Sequence, residues 1–213
     1  MSSRGSASAG QPIRFAAVKD YYEDLWERLP ADLRPPEFDL RRRFMLSEAR
    51  PDDRALDLGC GDGVFTGELA GVVRSVVGAD VAEAALSRAR GRHPGLYFHL
   101  VPITGPLPFA DNSFDLVWSS EVIEHVADAA RWLSEVRRVL APSGRLLLTT
   151  PNHSRLALAL GGIERYSDPL GDHLHLYSRG SLRRLLDEFG FAQVTVRSAG
   201  PAPLHPWLLA RAV

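Results

Sequence analysis

A chain of 213 residues, 45% hydrophobic and 24% charged, can bury one sizeable core and has the makeup of an ordinary globular protein. Its 25 basic and 26 acidic side chains leave a net charge of −1, which argues against the basic excess of a nucleic-acid binder. The lone Cys60 excludes an intrachain disulfide or a cysteine-rich zinc site, and no apolar run approaches the roughly 20 residues that span a bilayer.

Residues 1–12 are rich in Ser, Gly and Ala, lack the apolar core of a secretory signal, and read as a disordered tail. A cytoplasmic location is the corresponding expectation. Residues 13–213 read as one domain, opening with N-terminal helices over 13–50 that break at Pro35-Pro36. From Arg54 onward short apolar runs alternate with helical segments. The runs are Ala55–Leu58, Ser75–Ala79, Leu96–Val101, Phe114–Ser119 and Arg145–Thr150, bounded by Gly, Pro or Asp as buried parallel strands are. Between them, Ala82, Ala85, Leu86 and Ala89 recur at helical spacing, as do Leu182, Leu185, Leu186 and Phe189, and Trp132 or Leu133 with Val136 and Leu140 give a similar stripe. This alternation predicts an α/β, Rossmann-like, doubly wound and mainly parallel sheet with helices on both faces. Residues 152–176 are longer than an ordinary connection and read as a lid-like insertion. After three prolines, Leu208–Val213 reads as the start of a further strand that is cut off.

The strongest local signal is Asp57-Leu58-Gly59-Cys60-Gly61-Asp62-Gly63, which closes the first strand and opens a helix. Glycines there let the backbone turn sharply and approach a ligand. The dinucleotide fingerprint would need Gly at position 64, where Val64 stands, and this weighs against NAD or FAD. Asp80 ends the second strand at a distance where an acid can accept hydrogen bonds from two ribose hydroxyls. After the fourth strand, Glu121, Glu124 and His125 would share one face if Ser120–Val126 is a helical turn, and could then hold a divalent cation. The competing reading is an acid pair plus a histidine packed beside the cofactor.

These motifs resemble the class I S-adenosylmethionine (SAM) dependent methyltransferases, and in particular those similar to the ubiquinone-biosynthesis O-methyltransferases. The likeness runs from roughly Tyr21 to Phe191. It rests on Asp57, Gly59, Gly61 and Gly63, on Asp80, and on Leu107-Pro108-Phe109-Ala110-Asp111-Asn112-Ser113-Phe114-Asp115. It implies SAM as cofactor, bound by those residues together with Ile103 and Ser119. It also implies a small hydroxylated acceptor and O-methylation, with His125 and Glu124 as catalytic residues. The family's Asp after the third strand is replaced by Val101-Pro102-Ile103-Thr104, and its seventh strand is expected to be incomplete or missing.

The E-x-x-E-H element, with Asp172-His173 downstream, is similar to metal-dependent members and to small-RNA 2′-O-methyltransferases. By that likeness a divalent metal would be held by Glu121, Glu124, His125 and His173; the donor set suits Mn²⁺, Fe²⁺, Co²⁺ or Zn²⁺ better than Mg²⁺. RNA methylation and a non-catalytic SAM-binding partner protein stay open as alternatives, although stable nucleic-acid binding is not expected. The 152–170 stretch could meet a membrane surface, as it can in the ubiquinone-type relatives, and Tyr21, Tyr22 and Trp26 could close the other side of the site. His93, His99, His153 and His205 are expected to be surface or core histidines. Arg41-Arg42-Arg43 and Arg137-Arg138 are expected to be solvated helix faces.

Overall fold

The computed structural model describes residues 15–30, 33–162, 173–201 and 206–213. The expected tail at 1–12, His205 and residues 163–172 of the lid-like insertion lie outside the described residues. Two helices, α1 (Phe15–Arg28) and α2 (Phe38–Glu48), come first, on either side of the Pro35-Pro36 break. Then follow β1 (Arg54–Leu58), α3 (Val64–Ala70), β2 (Ser75–Asp80), α4 (Glu83–Arg92), β3 (Tyr97–Leu100) and β4 (Phe114–Ser120). The second half comprises α5 (Ala129–Val139), β5 (Leu140–Pro151), α6 (Arg155–Gly161), α7 (Arg179–Glu188), β6 (Thr195–Ala199) and β7 (Trp207–Ala212).

The sheet runs β3-β2-β1-β4-β5-β7-β6. Strands β1 to β5 pair in parallel, while β7 is antiparallel to both β5 and β6. The seventh strand is therefore present, which corrects the sequence expectation. Leu208, Leu209, Ala210 and Ala212 are all buried, so the strand is apolar on both faces like its neighbours. Pro206 stands just before its first residue, where the missing N–H costs no ladder bond. The edge strand β6 went unforeseen because only Val196 of its five residues is buried, leaving no apolar run to read.

Alternation along the strands sorts the core into two layers. Leu56, Leu58, Val117, Leu146 and Leu148 face α5 and α7, meeting Leu133, Val136, Leu182 and Leu186. Ala55, Leu116, Trp118 and Leu147 face the other way, toward Phe38, Phe44 and Met45 of α2 and Phe65 and Leu69 of α3. The chain leaves β1 toward β2 on one side and returns to β4 on the other. The loops after β1 and β4 therefore splay apart at the carboxyl edge, which is where open α/β sheets bind ligands.

Candidate active site

On one side of that crevice the glycine loop forms a cradle. Gly59 and Gly61 have φ of 81° and 54°, and neither has room for a side chain. A Cβ on Gly59 would overlap Val122, and one on Gly61 would stand 2.6 Å from the Trp26 ring. Asp80 ties the loop to β2. Its Oδ2 accepts the Gly61 N–H at 2.9 Å and its Oδ1 the Ala82 N–H at 3.0 Å. Burial pushes its carboxyl pKa up, and those backbone donors oppose the shift. Each oxygen keeps a further lone pair, so the acid can hold its loop and still accept from a ligand hydroxyl.

Asp57 behaves differently from its expected role as a ligand contact. It is 1% exposed and accepts the Thr66 hydroxyl at 2.6 Å, so it holds the start of α3 from beneath the loop. Burial pushes its pKa up to about 7. Ser119 is likewise turned inward, donating its hydroxyl to the Leu58 carbonyl at 2.8 Å. Ile103 is half-buried just beyond β3, beside exposed Thr104.

Helix α1 lies over this cradle. Both Glu23 carboxylate oxygens accept backbone N–H groups of α4, from Glu83 at 2.9 Å and Ala84 at 2.8 Å, and so cap that helix from another element. Arg88 of α4 donates back to the Leu29 carbonyl at 2.8 Å. One turn before Trp26, Tyr22 meets His125 edge-on with ring centroids 6.4 Å apart. The aromatic face of α1 thus spans both sides of the crevice.

The other side is built after β4. The expected helical turn is not formed: residues 121–126 make an irregular turn, and Glu121 takes a left-handed φ of 58°. The two glutamates are held by different hydroxyls: Thr149 donates to Glu121 at 3.0 Å and Thr150 to Glu124 at 2.9 Å. On the Glu121 side stands Arg41, which is 2% exposed rather than solvated as expected. It donates to Ser120 Oγ at 3.0 Å and to the Pro36 carbonyl, and lies over the Trp207 ring. Burial pushes the Glu121 pKa up to about 7, against the attraction of Arg41. Glu124 is fully buried; desolvation, reinforced by Glu121, raises its pKa well above the carboxylate range.

On the Glu124 side the histidines gather. Atoms of Glu124, His125 and His173 lie within 4.8 Å of one another, and Glu121 is not among them. The turn is not a helix, and the Glu121 carboxyl is instead bound by the Thr149 hydroxyl. The structure adds His153, expected to be a surface or core histidine, to this group. Its Nε2 is 3.0 Å from His173 Nδ1, and its Nδ1 accepts the Tyr177 N–H at 2.9 Å. His175 anchors the same segment, its N–H donating to the Glu124 carbonyl at 3.0 Å and its Nε2 to the Val126 carbonyl at 2.9 Å. Burial pushes the His173 pKa down to about 4, helped by the neighbouring histidines. His99 packs against Phe109, and His93 against Gly67, as expected of structural histidines.

A family model of the methyltransferase domain matches residues 19–196. The chain belongs to the methyltransferase family. This methyltransferase is 36% identical over 137 residues to a protein of Mycolicibacterium smegmatis named a probable S-adenosylmethionine-dependent methyltransferase, covering 64% of this chain and 51% of that one. It is 31% identical over 153 residues to a ubiquinone biosynthesis O-methyltransferase of Rhizobium johnstonii, covering 70% and 56%. The solved DhpI–SAM–HEP complex superposes with a TM-score of 0.72 at 20% identity, covering 97% of this chain and all of that one. That likeness is one of fold, the class I SAM-dependent methyltransferase architecture. The chain spans about half the length of the curated relatives it matches, or less.

Proposed function

We propose that this methyltransferase uses SAM to methylate an oxygen of a small hydroxylated molecule. The observation that carries the reading is the cluster of buried Glu124 with half-buried His125 and His173, set across one crevice from a glycine cradle closed by Asp80. The cradle fits the cofactor: Gly59 and Gly61 let the backbone turn sharply beneath Val122 and Trp26, and Asp80 retains lone pairs for ribose hydroxyls. When bound, SAM supplies an electrophilic methyl group on a sulfonium sulfur.

The chain's own residues do the rest. Trp26 and Tyr22 of α1 exclude water from above the crevice and orient what lies in it, an alignment worth several kcal/mol in such displacements. A neutral hydroxyl is a weak nucleophile, so its proton must be taken as the new bond forms. His125, with its Nε2 3.9 Å from Glu124 and its side chain about one fifth exposed, is the group placed to take it. Burial disfavours a charge on Glu124 beside His125. Metal assistance would fall to Glu124, His125 and His173. Arg41 already supplies a positive charge to both glutamates, and Glu121 is engaged elsewhere, so no step is assigned to an ion. RNA 2′-O-methylation drew on a four-ligand set that includes Glu121, and it loses that support.

The test is transfer of labelled methyl from SAM to a panel of phenols, catechols and vicinal diols, with His125→Ala in parallel. Acceptor-dependent S-adenosylhomocysteine release is expected, falling roughly 100-fold or more in the variant. Methylation confined to amines would overturn the oxygen assignment. Tight SAM binding without turnover on any acceptor would favour a non-catalytic SAM-binding role.

A further inference from the structure

The histidine cluster contains one donor whose direction is beyond dispute. A backbone N–H can only donate, so the Tyr177 N–H at 2.9 Å requires a lone pair on His153 Nδ1. The other candidate contact of that nitrogen, the Tyr177 carbonyl at 3.3 Å, already accepts the His153 backbone N–H at 2.8 Å. A neutral imidazole carries one proton, so the proton of His153 sits on Nε2. His153 is 4% exposed, and its Nε2–H is directed at His173 Nδ1, 3.0 Å away.

The same reasoning moves one ring further. Because His153 donates, His173 Nδ1 must accept, and the proton of neutral His173 therefore sits on Nε2. Protonating His173 would set two N–H groups face to face across 3.0 Å. A cation would find no lone pair on this ring. The Nδ1 pair is taken by His153, and Nε2 is an N–H. Metal ligation demands the opposite arrangement, in which the second ring nitrogen of the ligand donates outward to its supporting group.

We propose that His153 is a positioning residue that locks His173 in the Nε2–H form, so that the Glu124–His125–His173 cluster works as a metal-free site. The proposal rests on reading that cluster as the acceptor side of a methyltransferase. The charge arrangement agrees with it. Arg41, buried beside Glu121 and Glu124, provides from within the fold the positive charge that an ion would bring. The histidines then divide their roles: His173 is fixed as a donor, and His125 is left as the proton acceptor.

The experiment is a long-range proton–nitrogen NMR spectrum of the full chain with labelled histidine, saturated with S-adenosylhomocysteine and titrated with Zn²⁺. His153 and His173 are both expected as neutral Nε2–H tautomers, unchanged at equimolar Zn²⁺. His153→Leu is expected to free His173 to exchange tautomers and to tighten Zn²⁺ binding by roughly tenfold or more, the scale of a supporting-shell change. His153→Gln, whose amide restores a donor near the same place, is expected to return Zn²⁺ binding toward wild type. A structural role alone would move both variants alike. A His173 proton on Nδ1, or equimolar Zn²⁺ displacing the His125 and His173 signals in wild type, would overturn the proposal. S-adenosylhomocysteine binding in the same sample separates the two readings. Its absence would sink the proposed SAM-dependent O-methylation while leaving the tautomers to be read on their own.

Discussion

The two sides of the crevice are made from different materials. The cradle after β1 is a stretch of neighbouring residues whose work is done by the backbone: Gly59 and Gly61 by lacking side chains, Asp80 by accepting main-chain N–H groups. The proposed acceptor side is made of side chains from α2, the turn after β4, the end of β5 and the segment at 173–177, joined through Ser120, Thr149, Thr150 and His153. A nucleoside cofactor does not change between members of a family, so rigid backbone suits its site. An acceptor does change, and a site of separable side chains can be revised one residue at a time.

The contrast can be broken by single substitutions. The largest effect is expected on the acceptor side, from Arg41→Met. Removing one partner of a buried charged group costs about 3–5 kcal/mol, and the loss should appear as a lowered midpoint in denaturant unfolding. Arg41→Met paired with Glu121→Gln should lose less than the sum of the two single changes, because the two side chains share one interaction. Equal, additive losses would mean that the two groups do not interact. On the cradle side, Gly59→Ala meets both a left-handed φ and the Val122 side chain. Strain of about 2–3 kcal/mol should weaken S-adenosylhomocysteine binding by roughly 30–100-fold, measured by calorimetry. Unchanged affinity would remove the glycine loop from the cofactor site.

These differences also decide what the sequence could disclose. The five parallel strands, within one residue of their expected bounds apart from the early start of β5 at Leu140, were legible because buried strands are contiguous and apolar. The cradle was legible for the same reason of contiguity. Arg41 was read as one of three solvated arginines, yet it shares the buried stripe of α2 with Phe38, Phe44 and Met45, a helical spacing that could have flagged it. Glu121 and Glu124 looked like co-ligands because i and i+3 share a helix face, but residues 121–126 form no helix and Glu121 takes a left-handed φ. His153 carried no signal, since its role depends on the Tyr177 N–H, 24 residues away. Strand β7 was read only as the start of a strand cut off at its end, although the run Trp207–Ala212 already pairs along its length with β5.

A pH series sharpens the comparison. Folded Asp57, in the cradle, and Glu121, on the acceptor side, both keep their protons up to about pH 7, whereas unfolded carboxyls release theirs near pH 4. Between those limits the folded state binds more protons, so stability falls as pH rises from about 4 to 7. His173 acts in the opposite sense. With its pKa pushed down to about 4, it resists a proton that the unfolded chain accepts below about 6.5. Two carboxyls outweigh one imidazole, and the ligand-free protein should melt a few degrees higher at about pH 5.5 than at about pH 7.5. Asp57→Asn and Glu121→Gln should each flatten the slope. If only one of them does, the titrating charge belongs to that side of the crevice alone.

The smallest expected effect falls on α1, the element that touches both sides. Glu23→Gln keeps the shape of the cap on α4 but removes its charge, worth about 0.3–1 kcal/mol at a helix N-terminus. Because Trp26 and Tyr22 share one face of α1, loosening that helix should weaken S-adenosylhomocysteine binding by only about two- to fivefold while also shifting the His125 ring resonances in NMR. A change in both readouts would mean that α1 couples cofactor and acceptor sites, so that filling the cradle orders the ring beside the proton acceptor. A change in affinity with His125 untouched would mean that the two sides are built, and act, independently.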